Sequence, residues 1–215
     1  MKHFKNLEKH IINLKSKKIL DIGSGKGDFL IYLTKNNYSI IGLEKNLDYI
    51  KITQEKAKKN NLNINLVQGE AENLPFKNNY FDFINCNEIT EHINNPKKLL
   101  AECCRVLKNN GQMYVSFHNR FGIYDFHYHL WFINWLPRKL ADKIIRIIGK
   151  EKHYSKAGFQ KLSEMHYYFY YQIIKLLKKY DFKIEDTRRK KIKNKFIYSI
   201  IKYFISTYHF IITKK

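Results

Sequence analysis

Lys18-Ile19-Leu20-Asp21-Ile22-Gly23-Ser24-Gly25-Lys26-Gly27-Asp28-Phe29 is the stretch on which the reading of this chain turns. A short apolar run closes on an acid, passes through alternate glycines and opens into Phe29-Leu30-Ile31-Tyr32-Leu33, the pattern of strand, tight turn and helix. Glycine suits such a turn because it tolerates unusual dihedrals and lets a ligand approach the amides at the helix start. The unit is expected to cradle a nucleoside.

Spacing narrows the ligand. A dinucleotide fingerprint places glycines first, third and sixth, but here the sixth position is Asp28 and the third glycine comes early at Gly27. Asp21, just ahead of the turn, repels phosphate and attracts a cation such as a sulfonium. With an acid followed by G-x-G-x-G, the stretch resembles the class I S-adenosylmethionine-dependent methyltransferases. The next strand, Ser39 to Leu43, ends in Glu44, about 20 positions beyond the turn, where an acid can accept hydrogen bonds from both ribose hydroxyls.

Further motifs carry the resemblance on. Gly69-Glu70-Ala71-Glu72-Asn73-Leu74-Pro75-Phe76, after a strand Asn63–Gln68, resembles the family segment in which an acid–Ala pair reads the adenine edge. Tyr80 to Cys86, followed by Glu91-His92, is similar to the ubiquinone-biosynthesis-like, type 11 branch, and Arg105 to Gly111 matches that family's R-V-L-K-x-x-G passage. The resemblance covers Lys18 to Phe117, about half the chain. It implies S-adenosylmethionine as cofactor, with contacts at Asp21, Gly23, Ser24, Gly25, Gly27, Glu44, Lys45, Glu70, Ala71 and Asn87. It also implies an α/β fold: a Rossmann-like three-layer sandwich whose seven-stranded, mostly parallel sheet has a reversed last strand and a helical lid insertion after the fifth strand.

Composition sets the bounds. At 215 residues and 44% hydrophobic content, one globular methyltransferase domain over 1–215 is expected, with 119–160 as its lid. No charged-then-apolar leader opens the sequence and no apolar run approaches a bilayer span, so a cytoplasmic location is expected. Cys86, Cys103 and Cys104 form no C-x-x-C and are expected as small buried apolar residues. The net charge of +21 points toward polyanions, yet Lys, Asn, Ile and Tyr rise together, as an AT-rich coding sequence produces without any selected partner. The absence of N-P-P-Y or D-P-P-Y after the fourth strand disfavours a nucleic-acid amino-methylase.

Along the chain, Phe4, Leu7, Ile11 and Leu14 predict an amphipathic helix over 3–15, and Pro96 opens a helix to Leu107. Asn109-Asn110-Gly111 is expected to end that helix, with Gln112 to Phe117 as the fifth strand. Glu91 and His92 read as tying a loop. The segment His118 to Gly158 is dense in His and aromatic residues and leaves the carboxyl edge of the sheet, where ligands of α/β folds bind. It is read as a substrate lid, set against a packed helical pair. Its histidines, His118, His127 and His129, are the candidate general bases. Metal ligation by His127 and His129 with His118 or Asp125 has no supporting pattern, and no metal is expected. The expected acceptor is a small molecule or a lipid- or glycan-linked group, methylated on oxygen, because the aromatic lid resembles the wall of an apolar pocket. Arg188 to Lys195 beside Phe196 to Ile205 is read as a basic loop followed by a helix packed on the sheet, compatible with weak peripheral contact at the inner membrane face. A catalytically silent S-adenosylmethionine-binding regulatory or membrane-surface module stands as the rival to this enzyme, with an RNA methyltransferase, which draws only on the charge, behind it.

Overall fold

The computed structural model describes residues 7–8, 10–153, 159–180, 182–189, 192 and 194–215. Strand–turn–helix begins as the glycine stretch requires, with Ile19–Ile22 (β1) and Asp28–Lys35 (α1), then Ile40–Glu44 (β2) and Leu47–Lys59 (α2). Asn46 caps α2 by accepting the amides of Asp48 and Tyr49, and Lys56, Lys58 and Lys59 sit at its negative end. Asn65–Gln68 (β3), Phe81–Cys86 (β4), Pro96–Val106 (α3) and Leu107–His118 (β5) follow. Pro96 occupies the first turn of α3, and Asn95 caps it by accepting the Lys98 amide.

The described part of the insertion after β5 holds two small hairpins, Tyr124–Asp125 (β6) with Leu130–Trp131 (β7) and Lys152–His153 (β8) with Phe159–Gln160 (β9), and between them a 3₁₀ turn, Ile133–Trp135, and one α-helix, Arg138–Ile147 (α4). Among the described residues, the weighed helical pair is represented by this 3₁₀ turn and α4. Tyr170–Leu177 (α5), Phe182–Asp186 (β10), Lys195–Ile201 (α6) and Thr207–Lys214 (β11) complete the order. The seven-stranded sheet runs β10-β11-β5-β4-β1-β2-β3. All its contacts from β3 to β5 are parallel, and β11 is reversed against both β5 and β10, as expected.

Strand alternation builds two cores. Leu20, Ile22, Ile84 and Val115 join Leu99, Leu100, Cys103, Ile173 and Leu177 on one face of the sheet. Ile19, Phe83 and Tyr114 join Leu7, Ile11, Leu14, Leu30 and Leu33 on the other. Cys86 and Cys103 are buried free thiols, and Cys104 is half-buried.

Three local expectations shift. Residues 7 and 8 are helical, but the expected helix does not run on to 15: residues 10–13 turn, Asn13 takes φ 53°, and Leu14–Ser16 forms one 3₁₀ turn. Phe4 lies outside the described residues. Asn109–Gly111 belongs to β5 rather than to a separate turn; the β4–β5 register shifts between Phe81 and Phe83, and Asn110 takes φ 60° there. Finally, α6 does not bury its apolar side on the sheet. Phe196, Ile197 and Ile200 are exposed and only Tyr198 is buried, its hydroxyl donating to Asp186. Arg188 is half-buried and Arg189 exposed, while Lys190, Lys191 and Lys193 lie outside the described residues.

Candidate cofactor and acceptor site

At the carboxyl edge of the sheet the turn after β1 wraps toward the end of β2. Gly25 takes φ 55° and its amide donates to Glu44 Oε2 at 2.8 Å. Glu44 Oε1 accepts the amides of Lys45 and Asn46, each at 2.9 Å. Three of the carboxylate's roughly four acceptor positions are thus filled, leaving one on Oε2 for a ligand hydroxyl. Asp21 lies beneath the turn, buried, accepting Asn85 Nδ2 at 2.7 Å from the neighbouring β4. Burial pushes its carboxyl up to about 7, against the hydrogen bond from Asn85 and together with the negative charge of Glu44. A cation above it would favour the ionised form.

A cavity of about 350 Å³ opens over this turn, lined among others by Gly23, Gly25, Glu44, Lys45, Tyr49 and Ala71. Five of the ten expected cofactor positions, Gly23, Gly25, Glu44, Lys45 and Ala71, face it. The other five are placed otherwise. Asp21 is the floor, and Ser24 donates its hydroxyl to the Leu43 carbonyl. Gly27 caps α1 at φ 75°, where a Cβ would collide with Thr53 Cγ2, so its glycine serves helix packing. Glu70 faces a neighbouring surface depression with Gln68 and Gly69, while Glu72 lines the cavity. Asn87 follows β4 and does not line the cavity. Tyr49, Ile89, His92 and Gln160 line it without having been singled out as cofactor contacts, because nothing in their local sequence separates them from packing residues.

A second group lies beside the cavity. The segment after β4 is pinned to β5: the Glu88 amide donates to Ser116 Oγ and Thr90 Oγ1 to the Ser116 carbonyl, both at 2.7 Å. Glu88 takes φ 54°. This brings Glu88 and Glu91 against His118 at the end of β5, with Nε2 of His118 3.0 Å from Glu88 Oε2 and 3.1 Å from Glu91 Oε1. Burial opposes a charge on His118, but the hydrogen bond to Glu88 and the closeness of Glu91 hold the imidazolium up to about 10. His127, from the insertion, stacks its edge on His118 with ring centres 5.4 Å apart. Burial, then the charge on His118, pushes His127 down to about 4. His92 Nδ1 is 2.5 Å from Gln160 Nε2, which ties this loop to the insertion.

Of the three lid histidines, His118 and His127 meet here. His129 stands apart on the surface, its Nδ1 3.2 Å from the Tyr124 hydroxyl. Asp125 is also out of reach, since it accepts the Tyr128 amide, Asn134 Nδ2 and the Tyr167 hydroxyl. Glu91, read as a loop tie, is fully buried at the centre of the group. Its distance from His118 in sequence hid this; only the pairing of β4 with β5 joins them.

Residues 20–115 match the family model described as "Methyltransferase domain". The chain is 31% identical over 109 residues to a ubiquinone biosynthesis O-methyltransferase of Coxiella burnetii, covering 51% of this chain and 47% of that protein. It thus spans about half the length of the curated relatives it matches. A Mesorhizobium loti S-adenosylmethionine-dependent methyltransferase superposes with TM-score 0.67 at 12% identity, over 100% of this chain and 98% of the other. A Methanosarcina mazei S-adenosylmethionine-dependent methyltransferase gives 0.64 at 19%, over 97% and 96%. These likenesses share the fold. The sheet order, the carboxylates ending β1 and β2, and the matched segment together make residues 20–115 a methyltransferase domain of the class I type, a family that uses S-adenosylmethionine.

Proposed function

We propose that the chain transfers a methyl group from S-adenosylmethionine to oxygen of a hydroxylated small molecule or of a lipid- or glycan-linked acceptor. The observation that carries this is continuity: Glu88 and His92 line the cofactor cavity and also border the buried His118–His127 group beneath the insertion. An acceptor placed there would face the methyl donor directly. The acceptor oxygen supplies the electron pair of the new O–C bond, the sulfonium sulfur keeps the pair of the broken C–S bond, and the hydroxyl proton leaves into the histidine–glutamate group. Alignment in a closed site can remove on the order of 7–11 kcal/mol of such a barrier. Residues 119–160 act as the lid in this reading, contributing His127 and Gln160.

Exposed apolar side chains support an apolar or lipid-linked acceptor. Trp131, Phe132, Trp135 and Phe204 follow one another at ring separations of 5.1–6.4 Å and are all exposed, with the open face of α6 nearby in sequence. Such a surface fits a peripheral membrane contact. Among the described residues no helix is long and apolar enough to cross a membrane. The test is S-adenosylhomocysteine formation by the purified chain against a panel of phenols with and without prenyl or acyl tails. The same panel includes amines of matching shape, and turnover confined to those amines, or of no panel member, would overturn the oxygen-acceptor reading.

A further inference from the structure

We propose that Arg120 and Arg138 bind an oxyanion, carboxylate or phosphate, carried by the methyl acceptor. The inference rests on the methyltransferase reading and narrows its acceptor to an anionic one. Arginine is scarce in this chain, six residues against 34 lysines, so the lysine-rich composition does not account for two of the six meeting in one half-buried place. The planar fork of arginine also matches an oxyanion as an ammonium does not.

The two reach each other from different elements. Arg120 stands two residues past His118, and its Nη2 donates to the Leu136 carbonyl at 3.1 Å. Two residues further, Arg138 opens α4 and lays its guanidinium over the ring of Tyr167, 4.6 Å from the ring centre. Tyr167 in turn stacks on His118, with ring centres 5.0 Å apart. A hydroxyl at the His118–His127 group and an anion at the arginines can therefore belong to one acceptor of aromatic size.

Nothing among the described residues neutralises the pair. Arg138 Nη1 is buried without a hydrogen-bond partner, and neither arginine forms an ion pair. The acids in range are engaged elsewhere: Asp125 accepts the Tyr128 amide, Asn134 Nδ2 and the Tyr167 hydroxyl, and Asp142 accepts the Ser163 amide. No acid stands in the first turn of α4 and no side chain caps it, so the positive end of the helix adds to the charge. Burial, then the charge of Arg120, pushes Arg138 down to about 10. Like cations held together out of water are costly, and an oxyanion accepting from both removes that cost.

The test uses the full chain, with inorganic phosphate, 3-hydroxyphenylacetate and the neutral 3-hydroxyphenylacetamide as probes. In calorimetry the wild type should bind the acid at least about tenfold tighter than the amide, and Arg120→Met and Arg138→Met should each erase that preference. Phosphate at constant ionic strength should raise the melting temperature of the wild type but not of Arg138→Met. Without ligand Arg138→Met should melt no lower than wild type, because it removes an unpaired charge and keeps the apolar stem. Lys139→Gln, exposed on the same turn, should change none of these readings. Lack of an acid-over-amide preference in the wild type, or its survival in either folded arginine variant, would overturn the site. Binding to phosphatidylglycerol vesicles but to neither soluble anion, lost in Arg138→Met, would assign the arginines to lipid headgroups and overturn the acceptor role. Calorimetry with S-adenosylmethionine runs separately: cofactor binding without the acid preference sinks this proposal alone, and the acid preference without cofactor binding sinks only the methyltransferase reading.

Discussion

The Gly25 amide donates to Glu44 Oε2 over 2.8 Å, so the acid that ends β2 also holds the glycine turn that ends β1. Glu44 therefore has two jobs, shaping the turn and presenting an acceptor to the cofactor. Losing a hydrogen bond to a charged group costs roughly 1.5–3 kcal/mol, so Glu44→Ala should weaken S-adenosylmethionine binding about tenfold or more. Glu44→Gln keeps one acceptor oxygen and should lose less. Calorimetry giving both variants wild-type affinity would remove Glu44 from the site.

Asp21 predicts a pH dependence. Its carboxyl is raised in the folded protein from 3.8 to about 7, so between those values the unfolded chain has released a proton that the folded chain retains. Stability from this group is full below about 4, falls as pH rises, and is gone above about 7, with a total on the order of 4 kcal/mol. Asp21→Asn should therefore melt higher than wild type at pH 8 without cofactor and nearly equal to it at pH 4. The same variant should bind the cationic cofactor less tightly. Parallel melting curves for the two proteins across that range would show that Asp21 ionises freely.

Gly25 and Gly27 separate binding from folding. A Cβ on Gly25 meets nothing closer than 4.0 Å but projects from a residue lining the cavity, whereas one on Gly27 collides with Thr53. Gly25→Ala should cost about 1–2 kcal/mol of strain and most of the cofactor affinity. Gly27→Ala should lose at least that much stability and lower the melting temperature further. Equal melting temperatures for the two variants would contradict the packing role of Gly27.

The exposed aromatic row predicts vesicle binding. Trp131→Ser with Phe132→Ser should reduce co-sedimentation with anionic vesicles at low salt and leave cofactor affinity intact. Failure of the wild-type chain to sediment with any vesicle would end the membrane reading.

The sheet and its cofactor edge were legible because strand, turn and helix are local patterns, and Asp21, the glycines and Glu44 stand at strand ends that the sequence marks. Residues that meet across strands were not. Asn85 reaches Asp21, and His118 reaches Glu91, only through β1–β4 and β4–β5 pairing. The α6 helix was misjudged because an apolar periodicity does not say what covers it; Phe196 and Ile200 remain in the open. His129 and His127 are two residues apart, but His129 takes φ 55° at the tip of the β6–β7 hairpin, and the chain reversal sends the two rings to different surroundings.

The position of β11 bears on the order of events during folding. Among the described strands β10 pairs only with β11, and β11 alone joins it to β5. While β1 to β5 pair over shorter separations, the widest joining Ile19 to Phe83, the edge of β5 stays open across some ninety intervening residues between His118 and Thr207. Closure of so long a loop is slow, and an unpaired apolar edge is meanwhile exposed to other copies of the chain. Yield on refolding should therefore fall with protein concentration, and a chaperone that shields strand edges should restore it.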